Sequence, residues 1–251
     1  MKRSLIFGYG ALCYAVFFAS FLYAIGFVGN LVVPRSVDHG IAAPIGEAVL
    51  INLVLLGLFA VQHSVMARPG FKRVWTRLVP ASIERSTYVL LSSLLLFLLF
   101  WQWRTMPEVI WHVTSPAGRV SLQVLFWAGW AIVLTSTFMI NHFDLFGLRQ
   151  VYLAARNRPY TDVPFRTTLL YRVVRHPIMV GFIVAFWATP TMTAGHLFFA
   201  LVTTVYIVVG VQFEEHDLVD AVGEPYERYR DQVPMLVPGL HPHSGHKPIR
   251  A

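Results

Sequence analysis

Long apolar segments separated by short polar connections dominate this chain. Six segments approach the roughly 20 residues that an α-helix needs to cross a bilayer. They cover residues 5–33, 45–67, 86–103, 120–140, 177–194 and 195–213. The pattern predicts an all-α fold, a polytopic membrane bundle of about six transmembrane helices. Pro190 and Gly195 interrupt the last part of the pattern, so the final two segments are predicted to form a short hairpin that either crosses fully or re-enters.

The composition agrees with a membrane protein. Hydrophobic residues make up 56% of the chain and charged residues 13%, against about 25% charged in an average soluble domain. A single cysteine, Cys13, excludes an intrachain disulfide. The first apolar segment is too long for the core of a signal peptide and is expected to be a retained span. The net charge of +7 indicates membrane lipids as partners and no nucleic acid, because basic residues in such proteins contact anionic lipid and set orientation.

Basic residues fall almost entirely on one side of the predicted membrane. If all six segments cross, every lysine and arginine except Arg35, Arg104 and Arg119 shares the side of the N-terminus. The positive-inside rule therefore predicts that both termini are cytoplasmic. The two connections that carry most of the polar motifs, residues 141–176 and 214–238, lie on the same side.

One integral membrane domain is predicted over residues 1–240, because no linker or internal repeat divides the apolar pattern. Residues 241–251 are polar and are expected to form a flexible tail. Seven of the 13 acidic residues lie between residues 214 and 231. A charged soluble donor and an apolar acceptor can meet where these segments cover the helix ends.

The tripeptide Arg175-His176-Pro177 opens the fifth apolar segment. One interpretation is structural: the arginine anchors the interface, and proline starts a helix at a position where it loses no hydrogen bond. The other is functional, because the free amides and positive dipole end of a helix N-terminus bind anions. Gly181, one turn further on, would let a flat group approach the backbone.

The pair Glu214-Glu215 follows the sixth apolar segment. Two carboxylates at a helix C-terminus would oppose the macrodipole, so the helix is predicted to continue to Gly223, with Pro225 beyond it. The pair then forms either a solvated helix exit or a site that binds cofactor hydroxyls or a cation.

Two further motifs accompany these residues. Tyr226 and Tyr229 lie at i, i+3 on one helix face with Arg230 beside them. They form either an interfacial tyrosine belt or part of a site. The polar and aromatic stretch 141–150, which contains His142, forms either a simple loop or the floor of a pocket for a small apolar acceptor.

The histidines offer a third, non-enzymatic interpretation. His63, His142, His176 and His216 are all predicted near the cytoplasmic ends of spans. Four imidazoles at similar depth are a possible haem or metal site. No histidine or carboxylate spacing typical of such a site supports it, and no metal ligands are assigned.

The ordered set of these motifs over residues 175–238 resembles the C-terminal signature of the isoprenylcysteine carboxyl methyltransferase and phospholipid N-methyltransferase superfamily of membrane enzymes. The resemblance implies S-adenosyl-L-methionine as methyl donor. By the resemblance, the residues lining the cofactor site are Arg175, His176, Pro177, Gly181, Glu214 and Glu215, closed by Tyr226, Tyr229 and Arg230. The glycine-rich loop of soluble methyltransferases is absent.

A narrower match concerns the acceptor. The carboxyl methyltransferases usually carry an aromatic residue where this chain has Met179, which argues against a prenyl acceptor. Residues 21–30, 141–150, 175–179 and 187–192 resemble the bacterial methanethiol S-methyltransferases. This likeness implies a bacterial inner membrane, a small apolar thiol as substrate, and methylation of methanethiol to dimethyl sulfide. A lipid amine, a prenyl-cysteine carboxylate or another small thiol is the alternative acceptor.

Methyl transfer from a sulfonium to a thiol needs positioning, desolvation and a thiolate nucleophile. By residue chemistry, Arg230 or Arg175 would stabilise the thiolate, and His142 or His176 would take its proton. Sequence leaves the choice between them open.

Overall fold

The structure is a computed structural model that describes residues 3–240. Within this range the bundle has ten helices, the long ones apolar: α1 (Arg3–Gly29), α2 (Ile45–Ala67), α3 (Pro69–Trp75), α4 (Ala81–Gln102), α5 (Pro116–Ile140), α6 (His142–Leu145), α7 (Leu148–Ala155), α8 (Pro177–Trp187), α9 (Ala194–Val222) and α10 (Glu224–Gln232). A 3-10 turn covers Leu169–Arg172. The all-α membrane bundle is confirmed. The predicted flexible tail, residues 241–251, lies outside the described residues.

Among the described residues, five helices are long and apolar enough to cross a bilayer: α1, α2, α4, α5 and α9. The fifth predicted segment instead becomes α8, which has only 11 residues, because Pro190 follows closely and Ala188 already leaves the helical conformation (φ −84°, ψ 75°).

Four short strands join the connections at one end of the bundle. β1 (Ile41–Ala42) pairs in parallel with β2 (Arg104–Thr105), and β3 (Val109–His112) pairs antiparallel with β4 (Thr191–Thr193). We call this the strand end. The opposite end, where α1 starts and α3, α6, α7 and α10 lie, is the polar end.

The β3–β4 pairing settles the course of the fifth segment. Because α8 begins at the polar end and β4 lies at the strand end beside β3, residues 177–193 run the length of the bundle. Of the two predicted possibilities, the structure therefore has a crossing rather than a re-entrant loop, made of a short helix followed by an extended segment.

The core is aromatic and lies between the spans, mainly toward the strand end. Its largest members are Phe27, Phe100, Trp103, Phe126, Trp130, Phe186 and Phe199. Many of these rings meet edge to face, such as Trp130 against Phe182 at 5.8 Å between ring centroids. This packing fixes α8 against α5 and α9, and so fixes the depth at which α8 begins.

Candidate active site

A buried arginine organises the polar end of the bundle. The Arg175 Nε atom donates to Glu215 Oε1 at 2.6 Å, and Nη1 donates to the carbonyl oxygens of Arg230, at 2.7 Å, and Val233. The backbone amides of Arg175 and His176 donate to the carbonyls of residues 234 and 235. Arg175 is only 6% exposed. Its charge is neutralised by Glu215 and its N–H groups donate to carbonyl oxygens, which is what a buried ion requires.

His176 stands between two carboxylates. Its Nε2 lies 3.1 Å from Glu215 Oε1 and its Nδ1 lies 3.6 Å from Glu214 Oε2. The residue precedes Pro177, which occupies the first helical position of α8. A nitrogen that faces a carboxylate oxygen must carry a proton for the contact to be attractive, so His176 acts as a donor here. We call Arg175, His176, Glu214 and Glu215 the Arg175 cluster.

Helix α9 brings both glutamates to this position because it does not stop at the end of the apolar segment. It continues to Val222 and ends before Gly223, whose φ of +74° is a conformation that favours glycine. The predicted continuation is confirmed. Consecutive residues of a helix point about 100° apart, so Glu215 turns inward and is buried, whereas the Glu214 side chain is 50% exposed.

The charge of the Glu214 carboxylate acts on several tyrosine hydroxyls at this end of the bundle. Its charge acts on Tyr171, Tyr226, Tyr88 and Tyr206, which come from four different elements. The pKa of Tyr171 is raised by burial and by Glu214, and the pKa of Tyr226 is raised by burial and by Glu215 and Glu214. These hydroxyls therefore stay protonated, and the site combines one accessible carboxylate with aromatic rings.

The α10 tyrosines close the site from outside the bundle. Tyr229 donates its hydroxyl to the carbonyl of Tyr171, and burial raises its pKa to about 12. Tyr226 is 1% exposed, yet its hydroxyl has no hydrogen-bond partner among residues 3–240. The ring of Phe165 meets both tyrosine rings edge to face, with centroids 5.8 and 5.5 Å away. An unpaired buried hydroxyl is costly, and Tyr226 keeps one among the described residues.

Arg230 contributes in two ways. Its carbonyl oxygen accepts the Arg175 hydrogen bond. Its guanidinium is partly exposed and, in the described part of the chain, forms neither a hydrogen bond nor an ion pair. A guanidinium without a protein partner is available to an anionic group.

Gly181 lies apart from the Arg175 cluster. It packs against Gly129 of α5, and a Cβ added to Gly181 would come within 2.7 Å of the Gly129 carbonyl oxygen. The structure therefore gives this glycine a role in helix packing, whereas the sequence predicted that it admits a flat cofactor. Pro177 is fully buried and starts α8.

His142 belongs to a separate network. Its Nδ1 lies 2.8 Å from Thr137 Oγ1 and its Nε2 lies 2.8 Å from the Tyr14 hydroxyl. The Thr137 proton is donated to the Leu134 carbonyl, so Thr137 accepts from Nδ1 and Tyr14 donates to Nε2. Burial lowers the pKa of His142, which agrees with this neutral form. Both ring nitrogens are thus engaged, and His142 does not join His176.

The four predicted histidines do not converge. His216 lies 3.9 Å from Asp220 at the surface, and His63 is bonded to Tyr88 within the bundle. Within residues 3–240 no group of three or more histidine, cysteine, aspartate or glutamate side chains could hold a metal ion.

Sequence reasoning missed several residues of the site. Tyr171 and Phe165 lie in the connection before Arg175, and Tyr171 is also 3.5 Å from the Ser136 carbonyl at the end of α5. Tyr171 precedes Arg175 by four residues, and this closeness in sequence was one indication that Tyr171 belongs to the site. Phe165 offered none, because it lies in an irregular segment.

Fold and site together define a polytopic membrane protein with an ion cluster at one end of an α-helical bundle. The family described as NnrU protein matches residues 50–221. No solved structure matches the chain.

Named relatives match over nearly the whole length. Methanethiol S-methyltransferase of Mycobacterium tuberculosis is 69% identical, over 97% of this chain and 100% of its own. Methanethiol S-methyltransferase 2 of Bradyrhizobium diazoefficiens is 57% identical, over 92% and 89%. Methanethiol S-methyltransferase of Crocosphaera subtropica is 52% identical, over 95% and 93%. The chain belongs to the NnrU family and, within it, to the family of methanethiol S-methyltransferases.

Proposed function

We propose that this protein transfers a methyl group from S-adenosyl-L-methionine to methanethiol, yielding dimethyl sulfide and S-adenosylhomocysteine. The names of relatives at 50–69% identity support the acceptor. The observation that carries the proposal from the structure is the half-exposed Glu214, which lies 3.6 Å from His176 beside the buried Arg175–Glu215 pair and whose charge helps raise the pKa of Tyr171 and Tyr226.

The residues present fit the proposed methyl donor. When bound, S-adenosylmethionine supplies an electrophilic methyl group on a positively charged sulfur. A carboxylate and aromatic faces are the groups that stabilise such a cation, and Glu214 with Tyr171 and Tyr226 provides them. The unpaired hydroxyl of Tyr226 and the free guanidinium of Arg230 are available to hydroxyl and carboxylate groups of the same ligand.

The Arg175–Glu215 pair holds these groups in position. Arg175 connects the start of α8 with α9, α10 and the residue after α10, because it bonds Glu215 and the carbonyls of residues 230 and 233. His176 is fixed by the same carboxylate and lies beside Glu214. Preorganised charges of this kind need no rearrangement during reaction, which is the main source of electrostatic catalysis.

The position of the site suits reactants of opposite character. The proposed orientation places both termini and the polar end in the cytoplasm of a bacterium, under its inner membrane. A charged donor then approaches from water, while a small volatile thiol arrives through the bilayer and the apolar spans. Methyl transfer between them depends mostly on alignment and exclusion of water.

Headspace gas chromatography over membranes that contain this protein tests the proposal. Methanethiol and S-adenosylmethionine together should give dimethyl sulfide, and omission of either should abolish it. Membranes with the Glu214→Ala variant are the matched control, since that change removes the accessible carboxylate and leaves the buried pair in place.

Two outcomes would contradict the assignment. Protein that binds the donor yet gives no dimethyl sulfide would exclude methanethiol as acceptor, and extraction of labelled lipids would then show whether a lipid amine or prenyl-cysteine is methylated. Protein that binds no donor would exclude the methyl-transfer function altogether.

A further inference from the structure

A cavity at the polar end of the bundle has no role in the reaction as described so far. It has a volume of about 520 Å³ and lies between α3, the start of α4, the end of α5, α6 and α7. Its size is in the range of small-molecule sites, roughly 300–1,000 Å³. The residues that line it, all within 3–240, include no member of the Arg175 cluster. We call it the Lys72 cavity, after the lysine that α3 contributes.

Two cations line the Lys72 cavity, and neither has an acidic partner within 4 Å in the part of the chain that the structure describes. The ammonium of Lys72 forms no hydrogen bond there. Arg85 of α4 uses only Nε, which donates to the Leu145 carbonyl oxygen at 2.8 Å, so its terminal nitrogens stay free. The pKa of Lys72 is lowered by burial and by the charge of Arg85. Two neighbouring, partly buried positive charges attract an anion, and arginine and lysine are the residues that bind phosphate.

Two buried acceptors line the same cavity without a donor. Glu84 Oε1 and Gln150 Oε1 have no hydrogen-bond partner among residues 3–240. The Gln150 amide nitrogen is engaged, because it donates to the Asp144 carbonyl oxygen at 3.0 Å. The Asp144 carboxylate also lines the cavity, but Arg149 and Tyr160 already donate to it. What the two unpaired oxygens lack is an N–H donor, and a primary ammonium carries three.

The Lys72 cavity reaches the lipid-facing surface of the bundle. Ile140, the last residue of α5, lines the cavity and is 45% exposed. Because α5 is apolar and long enough to cross a bilayer, its exposed apolar residues face lipid chains. The ends of spans lie at the depth of lipid headgroups, where basic pockets between helices bind those headgroups. The cavity therefore joins a polar lining to an apolar exit, which suits an amphiphile better than a wholly soluble ligand.

We propose that the Lys72 cavity binds the headgroup of a phospholipid that carries both a phosphate and a primary ammonium. Lys72 and Arg85 hold the phosphate, and the free oxygens of Glu84 and Gln150 accept from the ammonium. The acyl chains leave past Ile140 along α5. This lipid site is separate from the proposed donor site and does not depend on methyl transfer.

Thermal unfolding of the purified full-length protein in detergent tests the proposal, because a ligand that binds only the folded state raises the melting temperature. Short-chain phosphatidylethanolamine, phosphatidylcholine and phosphatidylglycerol are added in turn. The first has phosphate and a primary ammonium, the second has a quaternary ammonium without N–H groups, and the third has phosphate without ammonium. Phosphatidylethanolamine should raise the melting temperature by several degrees, saturably, with an apparent affinity about tenfold or more above the other two.

Phosphoethanolamine without acyl chains distinguishes a lipid from a soluble ligand. It has the same charged groups but nothing to place along α5. At the concentration at which phosphatidylethanolamine saturates, it should leave the melting temperature unchanged. An equal shift would assign the cavity to a soluble phosphate ester and overturn the assignment to lipid.

Two variants examine the two ends of the headgroup. Lys72→Gln removes a phosphate partner and is expected to weaken phosphatidylethanolamine binding by about tenfold or more. Glu84→Gln removes the charge that faces the ammonium and should reduce the preference for phosphatidylethanolamine over phosphatidylcholine. Arg73→Gln is the matched control, because Arg73 is exposed on α3 and does not line the cavity. The melting temperature without lipid reports whether each variant folds.

Equal shifts from phosphatidylethanolamine and phosphatidylcholine in the wild-type protein would overturn the proposal. Equal affinities of Lys72→Gln and Arg73→Gln for phosphatidylethanolamine would do the same. If Lys72→Gln did not fold, an undiminished preference for phosphatidylethanolamine in Glu84→Gln would overturn it instead.

Discussion

Two adjacent glutamates show how strongly a single residue's position decides its role. Glu215 is buried and bonded to Arg175, so its charge is part of the protein's interior. Glu214 is half-exposed and lies 3.6 Å from His176. Removing one partner of a buried ion pair leaves an uncompensated charge, at a cost of about 3–5 kcal/mol. Removing the exposed neighbour leaves no such charge.

This difference predicts opposite behaviour for two conservative variants. Glu215→Gln should destabilise the protein by a few kcal/mol, about 3 or more, seen as a clear fall in melting temperature in detergent. Glu214→Gln should keep the melting temperature and weaken S-adenosylmethionine binding by about tenfold or more, as loss of one charged contact does. Glu224→Gln, at an exposed pair with Arg228, is the control and should change neither. Equal effects of the first two variants would refute the division of roles.

Residue chemistry alone located the principal charged groups. Arg175, His176, Glu214 and Glu215 were identifiable because charges that flank apolar segments have few inert roles. The sequence did not separate the buried glutamate from the exposed one, since that depends on the rotation of α9 about its axis. The packing of Gly181 was not predictable for a related reason: its neighbour, Gly129, is 52 residues away in sequence and only the fold brings them together.

At the scale of elements, the contact between α5 and α8 positions the start of α8. Gly129 and Gly181 face each other there, and a Cβ on either would lie 2.7 Å from backbone atoms of the other helix. Small residues permit this close approach, which is how membrane helices pack without a hydrophobic driving force. Because Arg175 and His176 directly precede α8, displacement of this helix would displace them.

This close contact between α5 and α8 predicts that one added methyl group at Gly181 destabilises the protein. Gly181→Ala should push α8 from α5, lower the melting temperature by several degrees and reduce methyl transfer. Gly210→Ala on α9 is the matched control, because a Cβ there meets nothing within 4 Å and alanine favours the helix by about 0.5–1 kcal/mol. A Gly181→Ala protein as stable and active as Gly210→Ala would show that the approach is looser than described.

The elements themselves were predictable to different degrees. Hydropathy identified the five long spans, because a helix that crosses lipid must be continuously apolar. Hydropathy did not predict the strands, because strands of two to four residues are too short to show an alternating pattern. The same strands decide the course of residues 177–193, which is why hydropathy left two possibilities for that segment.

At the scale of the whole molecule, the distribution of basic residues predicts the orientation of the protein in the membrane. All but three lysines and arginines belong to the connections at the polar end or to the chain beyond it, and the proposed donor site lies at that end. A soluble, charged donor made in the cytoplasm can reach it only in one orientation.

Site-directed labelling would measure this orientation. In a Cys13→Ala background, Ala117→Cys places a thiol at the exposed start of α5 on the strand end, and Ala221→Cys places one on the exposed last turn of α9. A membrane-impermeant maleimide should label Ala117→Cys in intact cells and Ala221→Cys only after lysis. The reverse pattern would invert the topology.

The carbonyls of residues 230, 233, 234 and 235 complete the surroundings of Arg175 and His176. Translation runs from the N-terminus, so all six crossings are synthesised before these acceptors leave the ribosome. Until then the Arg175 guanidinium has only Glu215 as a partner among the groups that hold it in the finished fold. A nascent chain that ends before residue 230 therefore lacks the carbonyls that complete the hydrogen bonding of Arg175, although all of its apolar segments are already made.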